Sequence, residues 1–400
     1  MERPRYRQDV LDSVGRRAAT LVALSRWLHE HPELGNEEHR AAARLTELLE
    51  REGFTVERGV AGLATAFRAA FRGGAGPTVA FLAEYDALPE LGHACGHNLI
   101  AASCVGAALV LRDLGPALPG TVVVMGCPAE ETSGGKIPLL EAGAFAGVDV
   151  AMSVHPGGRN SIGGSSLASH PVELEFFGKA SHAAAAPDQG INALQALVLA
   201  LQAIWALRSQ LRDDVRLPGI ILDGGKAPNV VPDYARARLS VRAADAAYLE
   251  QVVVPRIRAA AEGAALATGA SVRVRHYEPL YEELWQNDAL SQVFRRHLES
   301  LGRSVQQLAP WERAGSTDVG NVSHAIPTIH PTIAVASPGV PAHTREFAEA
   351  CGTEAGEQGM LDAARAMALT ALEWMHDAEL RDQVRLEHER RRQSSGGTPR

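Results

Sequence analysis

Three short apolar runs, Thr78–Ala83, Thr121–Gly126 and Val148–Val154, constrain this chain more than any other feature. Each is too short for a helix and too greasy to show water a wet face, so all three read as strands buried on both sides. The stretch Leu99–Leu114 lies between the first two and reads as a helix. Another helix is expected from an N-cap at Asn36 through Glu52, with Gly53 as its stop. Strand–helix–strand alternation predicts an α/β fold with a mostly parallel central sheet flanked by helices.

The middle of the chain has a different rhythm. His170–Phe177 alternates, with Val172, Leu174 and Phe176 on one side, and a helix is expected over Asn192–Leu211. A strand near Leu217–Leu222 precedes one in which Ala235, Ala237, Leu239 and Val241 alternate with Arg236, Arg238, Ser240 and Arg242. A helix over Ala246–Thr268 and the alternating Ser271–His276 complete a β-α-β-β-α-β order, the pattern of a ferredoxin-like α+β insert. After about Leu280 the chain returns to an apolar strand, Thr332–Ala336, and a helix over Thr353–Met375. The expected division is a first domain formed by 1–168 and 281–385, an insert at 169–280, and a disordered tail at 386–400.

Composition narrows the function. With 400 residues, 46% hydrophobic and 22% charged, the chain can bury a large core. The net charge of −8 lacks the basic footprint of a nucleic-acid binder. The longest greasy stretch, Ala193–Leu207, is too short for a bilayer and carries Gln195 and Gln202, so no membrane partner is expected. Four cysteines make no disulfide scaffold, and the N-terminus shows no apolar signal core. A cytoplasmic protein is the expectation.

The chemistry gathers where the apolar runs end. Ala83–Asn98 holds Glu84, Asp86, His93, Cys95 and His97 in a Gly-punctuated loop. Thiol and imidazole packed this closely suit Zn and its first-row neighbours. The second run leads into Cys127-Pro128-Ala129-Glu130-Glu131, the third into His155-Pro156, and His343 follows the last apolar strand. Ligands of open α/β sheets bind outside the carboxyl ends of strands, and all these groups stand at such ends. One carboxylate of the Glu130–Glu131 pair can hold metal while its neighbour serves as a base. A Cys, several His and a Glu are enough for a two-metal hydrolytic centre. A cysteine hydrolase using Cys95 with His97 is the rival reading, but it leaves Glu131, His155 and His343 unexplained.

The segments DALPELGHACGHN, PAEETSGGK, SVHP, FFGKASHAAAAPDQGINAL, GGKAPNVVPDYARARLSVR and AHTREF, in this order, resemble the two-metal aminoacylase and carboxypeptidase-like metallopeptidases. Within them the chain is similar to the amidohydrolase branch of hippurate and auxin-conjugate hydrolases. Asn98 and GSTDVGNVSHAIPTIHP resemble the sub-branch of aminobenzoyl-glutamate hydrolases and β-alanyl-lysine dipeptidase-like proteins.

The resemblance implies Cys95, His97, Glu131, His155 and His343 as ligands of two divalent metal ions, Zn or Mn, with Co or Ni as alternatives. It implies Glu130 as the general base acting on a metal-bridging water and Asp86 as the residue that orients the site. Glu84 stands where other branches have a histidine ligand. The insert becomes a lid that dimerises, from which His182 stabilises the oxyanion in the partner's site and Asn229 helps bind substrate. The implied substrate is a small-molecule amide: an N-acyl amino acid or dipeptide, leaning to aminoacyl-glutamates and to β-alanyl or basic dipeptides. A homodimer is implied, with a related hetero-subunit as the alternative.

Other tempting residues read as scaffold. Cys104 and Cys127 are expected in the core, Cys351 is a tolerated small residue, and His29 and His31 lack the HExxH spacing. His93 reads as a loop anchor. His324, His330 and Ser316-Thr317-Asp318 are candidates for lining a pocket.

Overall fold

The computed structural model describes residues 3–394, which form two compact units, one of residues 3–165 and 284–394 and the other Ser166–Glu283. In the first unit a six-stranded sheet contains β1 (Thr55–Arg58), β2 (Phe67–Arg72), β3 (Thr78–Glu84), β4 (Thr121–Cys127), β5 (Val150–Met152) and β6 (Thr328–Ile329). Its order is β1-β2-β4-β3-β5-β6. The strands β4, β3, β5 and β6 are parallel, as the apolar runs predict, and β2 adds antiparallel to β4. Alternate side chains of β3 feed two cores: Val79 and Phe81 on one face, Ala80 and Leu82 on the other. That two-sided burial is why the run carries no polar alternation.

Four features of this unit differ from the sequence reading. A 28-residue helix, Arg3–Glu30, was not anticipated, and it buries Val10, Val14, Leu21, Leu24 and Leu28 along one stripe. The strands β1 and β2 are likewise additions, since the arginines of FRAAFR obscure the buried Phe67 and Ala69. The expected helix from Asn36 begins later, as His39–Arg51 with Glu38 at its N-cap position. Asn36 instead sits at φ 69° in a turn and donates to Ser133 Oγ. Finally, the helix Ala378–Ser394 replaces disorder over 386–394. Leu380, Val384 and His388 give it a buried stripe, Glu387 accepts from the N–H groups of Asp288 and Ala289, and His388 contacts the Ser323 carbonyl. Residues 395–400 of the expected tail lie outside the described residues.

The second unit contains the strands Val172–Phe177, Gly219–Asp223, Tyr234–Leu239 and Ser271–His276, all antiparallel. Val172–Phe177 lies between Tyr234–Leu239 and Ser271–His276, with Gly219–Asp223 at one edge, the strand order of a ferredoxin-like fold. The helices Ala193–Ala206 and Val254–Thr268 cover the face that presents Val172, Leu174, Phe176, Ala235, Ala237 and Leu239. Expected as one helix, 246–268 is interrupted by a π-helical turn over Leu249–Val253 just before Pro255, whose missing N–H suits a helix start. The opposite face carries charge: Glu173 is fully buried between Arg238, 2.7 Å away, and Arg275. Val198, Leu199 and Trp205 on the first helix and Ile220, Ile221 and Leu222 on the edge strand stay exposed.

Candidate active site

The parallel register brings three loops to one place. Glu84, the last residue of β3, pairs with Cys127, the last of β4, and β5 runs beside β3 toward His155. The loop after β3 climbs to Cys95 and enters the helix His97–Arg112 through Gly96. Gly96 has φ 79°, and a Cβ there would stand 2.8 Å from Pro156 Cγ and 3.1 Å from Cys351 Sγ. Only glycine meets both demands. From far along the chain, the His343 N–H donates to the Ala94 carbonyl and sets that residue beside the Cys95 loop, at φ 66°.

Six of the sequence-predicted residues converge here. One donor atom from each member of three groups lies within 4.8 Å of the others: Cys95, His97 and His155; Cys95, Glu131 and His343; and His97, Glu130 and Glu131. Cys95 Sγ is 3.3 Å from His155 Nε2, and His343 Nε2 is 3.1 Å from Glu131 Oε1. Asp86 braces the cluster. Its Oδ1 lies 2.8 Å from His97 Nδ1 and its Oδ2 accepts the Glu131 N–H at 3.0 Å. His97 therefore turns Nε2 inward, where it is buried with no hydrogen-bond partner. His155 Nδ1 contacts the Pro156 carbonyl at 2.7 Å, which likewise directs Nε2 to the cluster.

An orphaned imidazole nitrogen, the Nε2 of His97, among a thiol, two further imidazoles and two carboxylates fits a divalent cation, which would give that nitrogen the partner it lacks. Burial pushes the Cys95 thiol well up, although contact with His97 works the other way. Burial also opposes ionisation of Glu131, but His343 and His97 hold its carboxyl down at about 2. Glu130 is pushed well up, first by burial and then by the charges of Glu84 and Glu131.

Three carboxylates that grip backbone were legible only in part. The N–H groups of Ala129, Glu131 and Lys136 donate to Glu38 at 2.8 Å, Asp86 at 3.0 Å and Asp318 at 3.0 Å. These fix the loop that carries Glu130, where Ala129 adopts a strained φ of 58°. Glu38 also accepts from Thr65, which explains why it does not cap its own helix. Lys136, fully buried, lies 2.6 Å from both Glu84 and Asp318. Burial alone would lower its pKa, but Asp318 and then Glu84 reverse that and keep it charged. His330, buried edge-to-face against His155, is pushed down to about 3 by burial and is neutral. His93 is buried beside His29, while Cys104 and Cys127 donate to the carbonyls of Leu82 and Met125 in the core.

His182 and Asn229 belong to the second unit and are neighbours there, since the Ala183 N–H donates to the Asn229 carbonyl. Both are exposed. His182 Nδ1 accepts the N–H groups of Ala184 and Ala185, which leaves its ring proton on Nε2.

Residues 80–373 match the model of Peptidase family M20/M25/M40. The chain belongs to this family. Xaa-Arg dipeptidase of Mus musculus is 41% identical over 385 residues, spanning 92% of this chain and 89% of that protein. One of the subunits of p-aminobenzoyl-glutamate hydrolase from Escherichia coli (strain K12) is 30% identical over 466 aligned residues, spanning 96% and 94%. The M20 fold is shared with a solved dinuclear metal-binding peptidase from Bacillus subtilis, at TM-score 0.69 and 24% identity, covering 90% of this chain and 99% of that one. An aminobenzoyl-glutamate utilization protein from Klebsiella pneumoniae superposes at TM-score 0.73 and 22% identity, covering 91% and 98%. This M20 member is a hydrolase of peptide or amide bonds in dipeptides or N-acyl amino acids. Among the described residues no helix is long and apolar enough to cross a membrane.

Proposed function

We propose that Cys95, His97, Glu131, His155 and His343 hold two divalent metal ions, Zn or Mn, with Co or Ni also accommodated, and that Glu130 is the general base. The buried, unpartnered Nε2 of His97 carries this reading, since nothing in the protein satisfies it. The donor set of one thiol, three imidazoles and one carboxylate suits borderline first-row cations. Bound there, the cations polarise the scissile carbonyl and acidify the attacking water. Glu130 takes the proton from that water and passes it to the leaving amine. Glu130 stands with His97 and Glu131 in one group of donor atoms within 4.8 Å of one another. Asp86 keeps His97 in one orientation throughout.

His182 is assigned the oxyanion donor, for which its Nε2 proton is the right tautomer, and Asn229 a substrate contact. These roles require a second copy of the chain. The exposed Ile220, Ile221 and Leu222 on an edge strand support a homodimer built through the second unit, with a related hetero-subunit as the alternative. Four unpaired, buried cysteines, one of them a ligand, support a cytoplasmic location.

The Cys95–His155 contact also has the outline of a nucleophilic pair. Burial raises the Cys95 thiol, however, and a nucleophile needs the reverse. The substrate reading is a dipeptide with a basic or β-amino residue, or an aminoacyl-glutamate, and the named relatives support it. Mass spectrometry of a panel with Xaa-Arg dipeptides, β-alanyl-lysine, aminobenzoyl-glutamate and N-acyl amino acids tests it. The reading expects Mn²⁺- or Zn²⁺-dependent cleavage of some members. Silence across the panel from folded, metal-loaded protein contradicts it.

A further inference from the structure

Against the cluster lies a buried charge triad that the hydrolytic roles leave idle. Lys136 Nζ sits 2.6 Å from Glu84 Oε1 and 2.6 Å from Asp318 Oδ1, and none of the three side chains is more than 1% exposed. Asp318 also accepts the Lys136 backbone N–H at 3.0 Å, so the lysine is held at both ends of its residue. Isolating such charges from water is costly, and they persist there only where the partners compensate each other.

The other oxygen of Glu84 faces the cluster. Oε2 is 3.7 Å from the inward-turned Nε2 of His97. Nitrogen and oxygen ligands each stand ~2.0–2.2 Å from a zinc-like ion, which puts two such atoms on one ion ~3.4 Å apart at a tetrahedral angle. Relative to His97 Nε2, Glu84 Oε2 thus stands near the separation of two ligands on one ion, yet Glu84 joins none of the donor groups whose atoms lie within 4.8 Å of one another, and it sits on a strand end fixed by its pairing with Cys127. It already has a cation, the ammonium of Lys136.

We propose that Lys136, anchored by Asp318, is a positioning residue that keeps Glu84 out of the coordination shell of a metal ion at His97. The inference rests on the ligand assignment above. An anionic ligand fewer leaves the ion a stronger Lewis acid and a coordination place open to substrate. Lys136 thereby lowers metal affinity and raises turnover. A merely structural lysine would support both.

The test uses full-length protein reconstituted with Co²⁺, read by affinity in chelator competition and by the visible d–d absorption. In K136M/D318N the triad keeps its net charge of one negative, since two carboxylates and one ammonium become one carboxylate, and Glu84 is released. The expected result is cobalt binding tightened ~10-fold, the scale of effects around first ligands, with a weaker d–d band from higher coordination and a lower kcat. Adding E84Q to that pair returns affinity and spectrum to wild type. Unchanged or weakened cobalt binding in folded K136M/D318N overturns the proposal.

Should that variant not fold, E84Q alone decides. Wild-type cobalt spectrum and affinity support a Glu84 outside the shell, and a changed spectrum contradicts it. The wild-type thiolate-to-cobalt band, absent in C95S, separates the two layers of the argument. If the wild type lacks that band, the metal assignment and the lysine's role fall together. With the band present and K136M/D318N like wild type, the lysine's role falls alone.

Discussion

The carboxylate of Asp86 lies 2.8 Å from His97 Nδ1, which leaves the other ring nitrogen, buried and unpartnered, as the face the imidazole presents to the cluster. A hydrogen-bonded carboxylate fixes the tautomer and orientation of a metal-binding histidine, and its loss typically weakens metal binding ~10–100-fold. Asp86→Ala is expected to show that weakening in chelator competition, with the fold retained by circular dichroism. Unaltered metal affinity would remove Asp86 from the site.

Glu130 shares the loop with Glu131 but is the more deeply buried of the two and has its pKa pushed up rather than down. On the proposed assignment the two neighbours divide the work, one as proton carrier and one as ligand. Glu130→Ala is expected to retain metal and fold while kcat drops by ~10²–10⁴-fold, the usual contribution of a general base. Wild-type-like turnover sinks the assignment. Loss of metal together with activity would make Glu130 a ligand instead.

Much of this site stands in the sequence because chemistry-bearing residues follow directly on apolar strands. A parallel sheet brings such ends together whatever the loops do, so Glu84, Glu130, Glu131 and His155 were legible as a set. The sheet's centre was legible for the same reason. The 28-residue helix at Arg3–Glu30 was not, although Val10, Val14, Leu21, Leu24 and Leu28 carry helical spacing, because many charged residues lie between them. The buried partners Glu38, Lys136 and Asp318 meet only through tertiary packing. Lys136 and Asp318 are 182 residues apart, and no local pattern announces that a lysine will be buried. The tail shows the opposite error: its arginines suggest solvent, yet the stripe Leu380, Val384, His388 is enough to dock a helix.

Cys95 supplies the one sulfur among the proposed ligands, 3.3 Å from His155 Nε2. A ligating thiolate that loses its metal is exposed to the oxidation ladder. Metal-stripped protein treated with hydrogen peroxide is expected to regain activity on remetallation only after reductant. Full recovery without reductant contradicts a ligand role for Cys95.

Acid sensitivity is expected from the second unit. Burial works against ionised Glu173, but Arg238 and Arg275 overcome it and hold the carboxyl below its usual 4.5. A carboxyl depressed in the folded state stabilises above its unfolded pKa, and that stability fades as pH falls through the folded value. Thermal melts of wild type and Glu173→Gln should differ most near neutrality. The gap should narrow below about pH 4.5. A gap of constant size from pH 7 to pH 3 contradicts the argument.

The central claim, a two-metal cluster at the ends of β3, β4 and β5, is tested most directly by counting metal. Native mass spectrometry of the zinc- or manganese-loaded wild type is expected to give two ions per chain. The same measurement on Cys95→Ser and His343→Ala should give fewer, with the charge-state distribution of folded protein preserved. One ion or none in the wild type, or two in both variants, would contradict it.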